Sequence, residues 1–80
     1  MFKNKASNGK NNICGEKIYT LRKGMKLSQR ALADKMQING IDIDKNAIQR
    51  IESGERFVTD IELIVLSKVL NTDIKNLLLL

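Results

Sequence analysis

An 80-residue chain that is 42% hydrophobic, with three aromatic residues, no proline, no histidine and one cysteine, has room for one domain with a modest aliphatic core, and favours helices over a sandwich or barrel. The single cysteine excludes a disulfide framework and a cysteine-based zinc site, and no apolar run nears the roughly 20 residues that span a bilayer. The net charge of +5 is lopsided: residues 1–40 hold nine Lys or Arg against two acids and residues 41–80 five against seven, which suits a polyanionic partner such as nucleic acid or an acidic membrane surface.

Residues 1–12, MFKNKASNGKNN, have little to bury and lack the apolar stretch of a signal peptide. They are expected to form a flexible basic arm ahead of a domain at 13–80. A first helix is predicted from about Ile13 to Met25, with Cys14, Ile18, Leu21 and Met25 as its buried stripe and Gly24 near its end. Cys14 therefore reads as a core residue in a reducing cytoplasm, with no neighbouring base to activate its thiol. Ser28 is an N-cap for a second helix, Gln29 to about Gln37, facing Ala31, Leu32 and Met36 inward. INGIDI, at 38–43, has no helical period and contains an Asn-Gly turn signal. Asp44 then caps a third helix, Lys45 to Ser53, which Gly54 ends in the left-handed conformation. Thr59 and Glu62 make a capping box for a fourth helix running to about Leu70. Asp73 caps a last short helix holding Ile74, Leu77 and Leu78. The expected class is all-α, with five short helices and none long enough for a coiled coil.

The third helix raises the functional question. Ala47, Ile48 and Ile51 make a narrow apolar stripe, and the opposite face carries Lys45, Asn46, Gln49, Arg50 and Ser53 with no acid among them. Around it, LRKGMKLSQRALADKM, IDKNAIQRIESGER and TDIELIVLSKVLNTDIKNLL resemble the Cro/phage-repressor, or XRE-type, helix-turn-helix family over about residues 13–79. The motif consists of Leu27-Ser28-Gln29 opening the second helix, Ala33 at a small-residue packing position, and Ile48-x-x-Ile51-Glu52-x-Gly54. The resemblance implies a compact five-helix domain of the lambda-repressor-like type whose third helix enters the DNA major groove, in a bacterial or phage transcription regulator.

On that reading Lys45, Asn46, Gln49 and Arg50 contact bases. Arg50 can offer a fork to guanine and Asn46 to adenine, while Lys45 and Gln49 can reach bases or backbone. Asn46 and Arg50 are four apart, as are Lys45 and Gln49, so the four project as two adjacent rows. The rival reading is a merely solvated helix face. In the family the glutamine at the start of the second helix touches phosphate, and Gln29 holds that place, where the helix N-terminus itself attracts anions. Lys26, Arg30 and Arg56 would add phosphate contacts at the groove walls, or else be ordinary surface cations; the same alternatives apply to Lys3, Lys5 and Lys10 of the arm. The family also pairs a glutamate of the third helix with an arginine of the first, which implies a structural ion pair between Arg22 and Glu52.

No histidine, clustered carboxylates, serine–base pair or phosphate-cradling glycine loop is present, so no catalytic residue, metal ligand or cofactor is expected. One departure concerns Ile38–Ile43, which separates the second helix from the cap Asp44. Connections in this motif are usually three or four residues, and the excess is about five if Ile43 takes the family's small apolar turn position. Ile38 and Ile41 are too apolar for a free loop, so they should extend the second helix or fold over the core, while Asp42 brings acid towards the DNA face. Three functions compete. The leading one is a sequence-specific, repressor-like regulator of double-stranded DNA, acting in the cytoplasm as a homodimer on a near-palindromic operator. A second uses the same fold as a protein-interaction module, such as an antitoxin or a regulator's partner. The third, membrane-surface binding by the arm and first helix, needs an apolar face that the core claims. Leu77–Leu80 is the candidate dimer surface, the alternative being that it packs on the first helix.

Overall fold

The computed structural model describes residues 5, 6 and 9–80, so Lys3 lies outside the described residues. Among them five helices and no strand form: α1 Gly15–Gly24, α2 Gln29–Ile38, α3 Lys45–Ser53, α4 Asp60–Val69 and α5 Ile74–Leu77. Three helices start at an N-cap residue whose own side chain satisfies a free backbone N–H. Ser28 Oγ accepts from the Ala31 N–H at 3.0 Å, and Asp44 Oδ1 accepts from the Ala47 N–H at 2.8 Å. Thr59 Oγ1 accepts from the Glu62 N–H at 3.2 Å while the Glu62 carboxylate accepts from the Thr59 N–H at 3.0 Å, completing the capping box. Asp73 stands at the N-cap of α5 but makes no capping bond with its side chain; its backbone carbonyl accepts from the Leu77 N–H at 3.3 Å instead.

The helix ends follow backbone chemistry less visible in the sequence. Gly54 closes α3 at φ 87°, as expected, and Gly40 closes α2 at the same φ. After α1 the left-handed position falls on Lys26, at φ 58°, and not on Gly24, which is the last helical residue. Lys26 and Leu27 donate their N–H groups to the carbonyls of Lys23 and Arg22, at 3.0 and 3.1 Å, a Schellman closure that offsets the roughly 1 kcal/mol a side chain costs in this conformation.

α1 packs on α3 and α5, α2 packs on α3 and α4, and α4 packs on α5. Ile18, Leu32, Met36, Ile48, Ile51, Leu66 and Leu77 are fully buried between them, joined by Cys14, Ala33, Ile43 and Leu70. Burial pushes the Cys14 thiol pKa up, consistent with an inert core residue. Met25 departs from its predicted stripe and is 42% exposed, because α1 ends before it; Arg22 takes the inner position in that last turn. Of the Leu77–Leu80 run, Leu77 enters the core and Leu79 and Leu80 stay exposed.

The connection before α3 spans residues 39–44, six residues, because α2 absorbs Ile38. It is not a free loop. Ile43 N–H donates to the Ile41 carbonyl at 3.0 Å around Asp42, and Gln37 Nε2 donates to the Ile43 carbonyl at 2.9 Å. This tight turn buries Ile43, half-buries Ile41 and leaves Asp42 outside. Ile38 extends the helix as expected yet covers nothing, at 84% exposure.

Two glycines of α1 separate packing from propensity. A Cβ at Gly15 would press on the Ile51 carbonyl oxygen and crowd that of Glu52, so α1 approaches α3 as closely as it does only without one. A Cβ at Gly24 would meet nothing within 4 Å among the described residues. Gly24→Ala is therefore expected to stabilise the fold by about 0.5 kcal/mol through helix propensity, whereas Gly15→Ala should lower the melting temperature. Thermal melts of both variants check this, and equal effects would contradict the close approach.

Candidate nucleic-acid interface

At 100° per residue, Ile48 and Ile51 centre the buried side of α3, which places Asn46 and Ser53 opposite them, Gln49 and Arg50 alongside, and Lys45 at the edge shared with Glu52. Lys45, Asn46, Gln49, Arg50 and Ser53 are all exposed. Ser53 Oγ donates to the Arg50 carbonyl at 3.0 Å. The side chains of Lys45, Asn46, Gln49 and Arg50 form no hydrogen bond or ion pair among the described residues. Arg50 borders two shallow depressions, one shared with Asn46, Gln49, Ser53 and Glu55, the other with Asp44, Asn46, Ala47 and Arg56. The acid-free face is thus a property of the helix alone. Asp44 ahead of it and Glu55 behind it bring a carboxylate to each depression, and Glu55 arrives there through the left-handed turn at Gly54.

Behind this face lies a buried ion pair. Arg22 Nε meets Glu52 Oε2 at 2.6 Å and Arg22 Nη2 meets Glu52 Oε1 at 3.0 Å, with both side chains 6% exposed. Arg22 Nη1 donates to the Leu27 carbonyl at 2.7 Å, and the Arg22 guanidinium carbon sits 5.4 Å from the centre of the half-exposed Tyr19 ring. Gln29 Nε2 donates to Glu52 Oε1 at 3.1 Å. The pair therefore ties α1, the turn after it, α2 and α3 at one point. Gln29, expected at phosphate, has its side-chain amide committed to Glu52, while Lys26 and Arg30 are exposed with no bond from their side chains among the described residues.

The last residues of the segment expected as an arm bond to the end of α3 and the turn after it. Asn11 N–H donates to the Gly54 carbonyl and Asn11 Nδ2 to the Glu55 carbonyl, both at 2.8 Å. Asn12 Nδ2 donates to the carbonyls of Ile51 and Arg56, at 3.0 and 2.8 Å, while its Oδ1 accepts from the Gly15 N–H at 2.9 Å. The aliphatic stem of Lys10 lies over Gly54, and its ammonium meets Glu16 at 3.3 Å. These contacts tie the segment to the last turn of α3 at Ile51 and to the carbonyls of the turn that follows it, and start α1 with the same asparagine. A reading by composition sees asparagines in this segment only as loop formers.

Arg56 is likewise engaged. Its guanidinium grips both oxygens of Glu62 at 2.9 Å each and donates to the Phe57 carbonyl at 3.0 Å. The Arg56 guanidinium, more than the Thr59 N–H, holds the Glu62 carboxyl below the usual glutamate range. The stability this contributes is complete above the unfolded glutamate pKa of about 4.3 and is lost as pH falls through the lower folded value. Glu62→Gln, which keeps an acceptor for the capping box, should therefore melt below the wild type at neutral pH, with the gap closing as the solution is acidified. Melting curves across that range test it; a gap independent of pH would remove the charge from the account.

These features together define a small helix-turn-helix domain with one helix presented outward and braced from behind. Residues 18–77 match the helix-turn-helix family model, and the chain belongs to the XRE-type helix-turn-helix family. Its structure is similar to that of the restriction-modification controller protein C.AhdI from Aeromonas hydrophila, with a TM-score of 0.67 and 27% sequence identity over 79% of this chain and 88% of that one. No curated protein sequence matches the chain. It is a DNA-binding transcription regulator of the XRE type, and its partner is double-stranded DNA. Among the described residues, no helix is long and apolar enough to cross a membrane.

Proposed function

We propose that the protein is a repressor-like regulator that reads the major groove with α3 and acts in the cytoplasm as a homodimer on a near-palindromic operator. One observation carries this reading: Lys45, Asn46, Gln49 and Arg50 are exposed on one face of α3 without a partner for their side chains among the described residues, while Glu52 on the same helix is locked to Arg22. Unengaged forks on a fixed helix can take hydrogen bonds from base edges at little cost in ordering. Lys26 and Arg30 supply the phosphate contacts at one wall of the groove, with the backbone N–H groups that open α2 beside Gln29. Arg56 contributes charge at the other wall from its bond to Glu62. The similarity to a restriction-modification controller protein supports control of such a system as the biological role.

Selection of bound duplexes from random DNA tests the reading. The expected product is a two-fold site with half-sites about one helical turn, roughly 34 Å, apart. Log affinity should fall with log salt by about 0.9 per phosphate neutralised. Enrichment of no sequence, or binding indifferent to salt, would overturn it.

A further inference from the structure

The outer face of α4 is uncovered among the described residues. The helix buries Glu62 and Leu66 and presents Asp60, Ile61, Ile64 and Lys68 on the opposite side. Ile61 is 63% exposed and Ile64 46%, and the two are neighbours on one helix face. Asp60, Ile64 and Lys68 are spaced by four and form one row along the helix, with Ile61 beside it. Neither Asp60 nor Lys68 has an ion pair or a hydrogen bond from its side chain among the described residues. Eight residues of helix, roughly 12 Å, keep them from each other.

That row reads acid, apolar, base. Turned end for end it reads base, apolar, acid. Set antiparallel against a second copy, with the two-fold axis through Ile64, it brings each Asp60 opposite Lys68 of the partner subunit and buries Ile61 and Ile64 of both. A parallel arrangement would set like charges together. We propose that the outer face of α4 is the surface through which two copies of this chain associate, antiparallel, with Ile64 on the axis. The inference rests on the homodimer reading above and supplies its surface. The exposed pair Leu79 and Leu80 is another apolar candidate.

The helix dipole alone would favour Asp60 in the first turn and Lys68 in the last, so reversing either charge also costs some helix stability. The test therefore uses both reversals. Sedimentation equilibrium without DNA should show the wild type dimerising, and Asp60→Lys or Lys68→Asp should each weaken the dimer roughly tenfold or more by setting like charges opposite. The double variant Asp60→Lys/Lys68→Asp carries both dipole penalties yet restores complementarity, so it should dimerise near the wild-type level. Ile64→Asp, which sets two carboxylates on the axis, should be monomeric with an unchanged circular dichroism spectrum. A monomeric wild type, single reversals without effect, or a double variant as weak as the singles would each overturn the proposal. So would loss of the dimer in Leu79→Ser/Leu80→Ser with Ile64→Asp unaffected. Binding to a duplex bearing a single half-site separates this from the DNA-reading proposal. Ile64→Asp should match the wild-type monomer there, and failure of every protein on that duplex would count against α3 while leaving the sedimentation result intact.

Discussion

Arg22→Ala is expected to lower the free energy of unfolding by about 3 kcal/mol, measured by urea denaturation. The substitution removes two bonds to Glu52, one to the Leu27 carbonyl and the packing against Tyr19. It leaves the Glu52 carboxylate, on a side chain buried in the wild type, with only the Gln29 amide as donor. An ion pair in this position need not add net stability, because both charges lose their water; the loss comes from stranding one of them. Arg22→Lys should recover little, since a single ammonium cannot reproduce a fork that spans two carboxylate oxygens and a carbonyl. Replacing both partners, as in Arg22→Met/Glu52→Leu, should bring stability closer to the wild type than either single change does. Wild-type stability in Arg22→Ala would show that the charge of Glu52 finds water, and that the brace behind α3 contributes nothing to the fold.

The parts of this architecture that a reader of the sequence can find are those decided within a few residues. Ser28, Asp44 and the Thr59/Glu62 box mark three helix starts correctly because each cap is bonded three residues away. Gly54 marks an end for the same reason. The end of α1 falls at Gly24, within a residue of the expectation, but the bonds that hold Lys26 in a conformation its side chain disfavours have no local signal. The ion pair is different again: Arg22 and Glu52 are thirty residues apart, so no periodicity links them, and only family resemblance pairs them. Nothing local announces that Asn11 and Asn12 tie down carbonyls 39 to 44 positions away. Nor does residue type at the start of α2 or in the turn after α3 reveal that Gln29 and Arg56 are already bonded to carboxylates. The face of α3 was legible as a pattern of residue types. Which of its side chains are unengaged is a property of the fold.

Arg50→Ala should cost about 1–3 kcal/mol of binding on the best operator and relax preference at one base pair. Arg50 lies one turn beyond Asn46, exposed, between the two depressions of the interface, with no partner for its guanidinium among the described residues. The fold should survive the change, because Ile48 and Ile51 hold α3 from the other side and the backbone carbonyl of Arg50, which accepts from Ser53 and Glu55, is retained. Glu55 sharpens the expectation. A carboxylate at the C-terminal end of the face repels phosphate, so Arg50 gains more from reaching into the groove, towards a guanine edge, than from lying along the backbone beside that acid. A phosphate contact would behave differently, weakening all sequences nearly alike and making the salt slope shallower by about one. Titrating the variant on the selected site, on its single-base changes and on random duplex at two salt concentrations separates these outcomes. A loss confined to one base pair assigns Arg50 to base reading; a uniform loss assigns it to the backbone; no loss leaves the outer face of α3 merely solvated and would overturn its role as the reading helix.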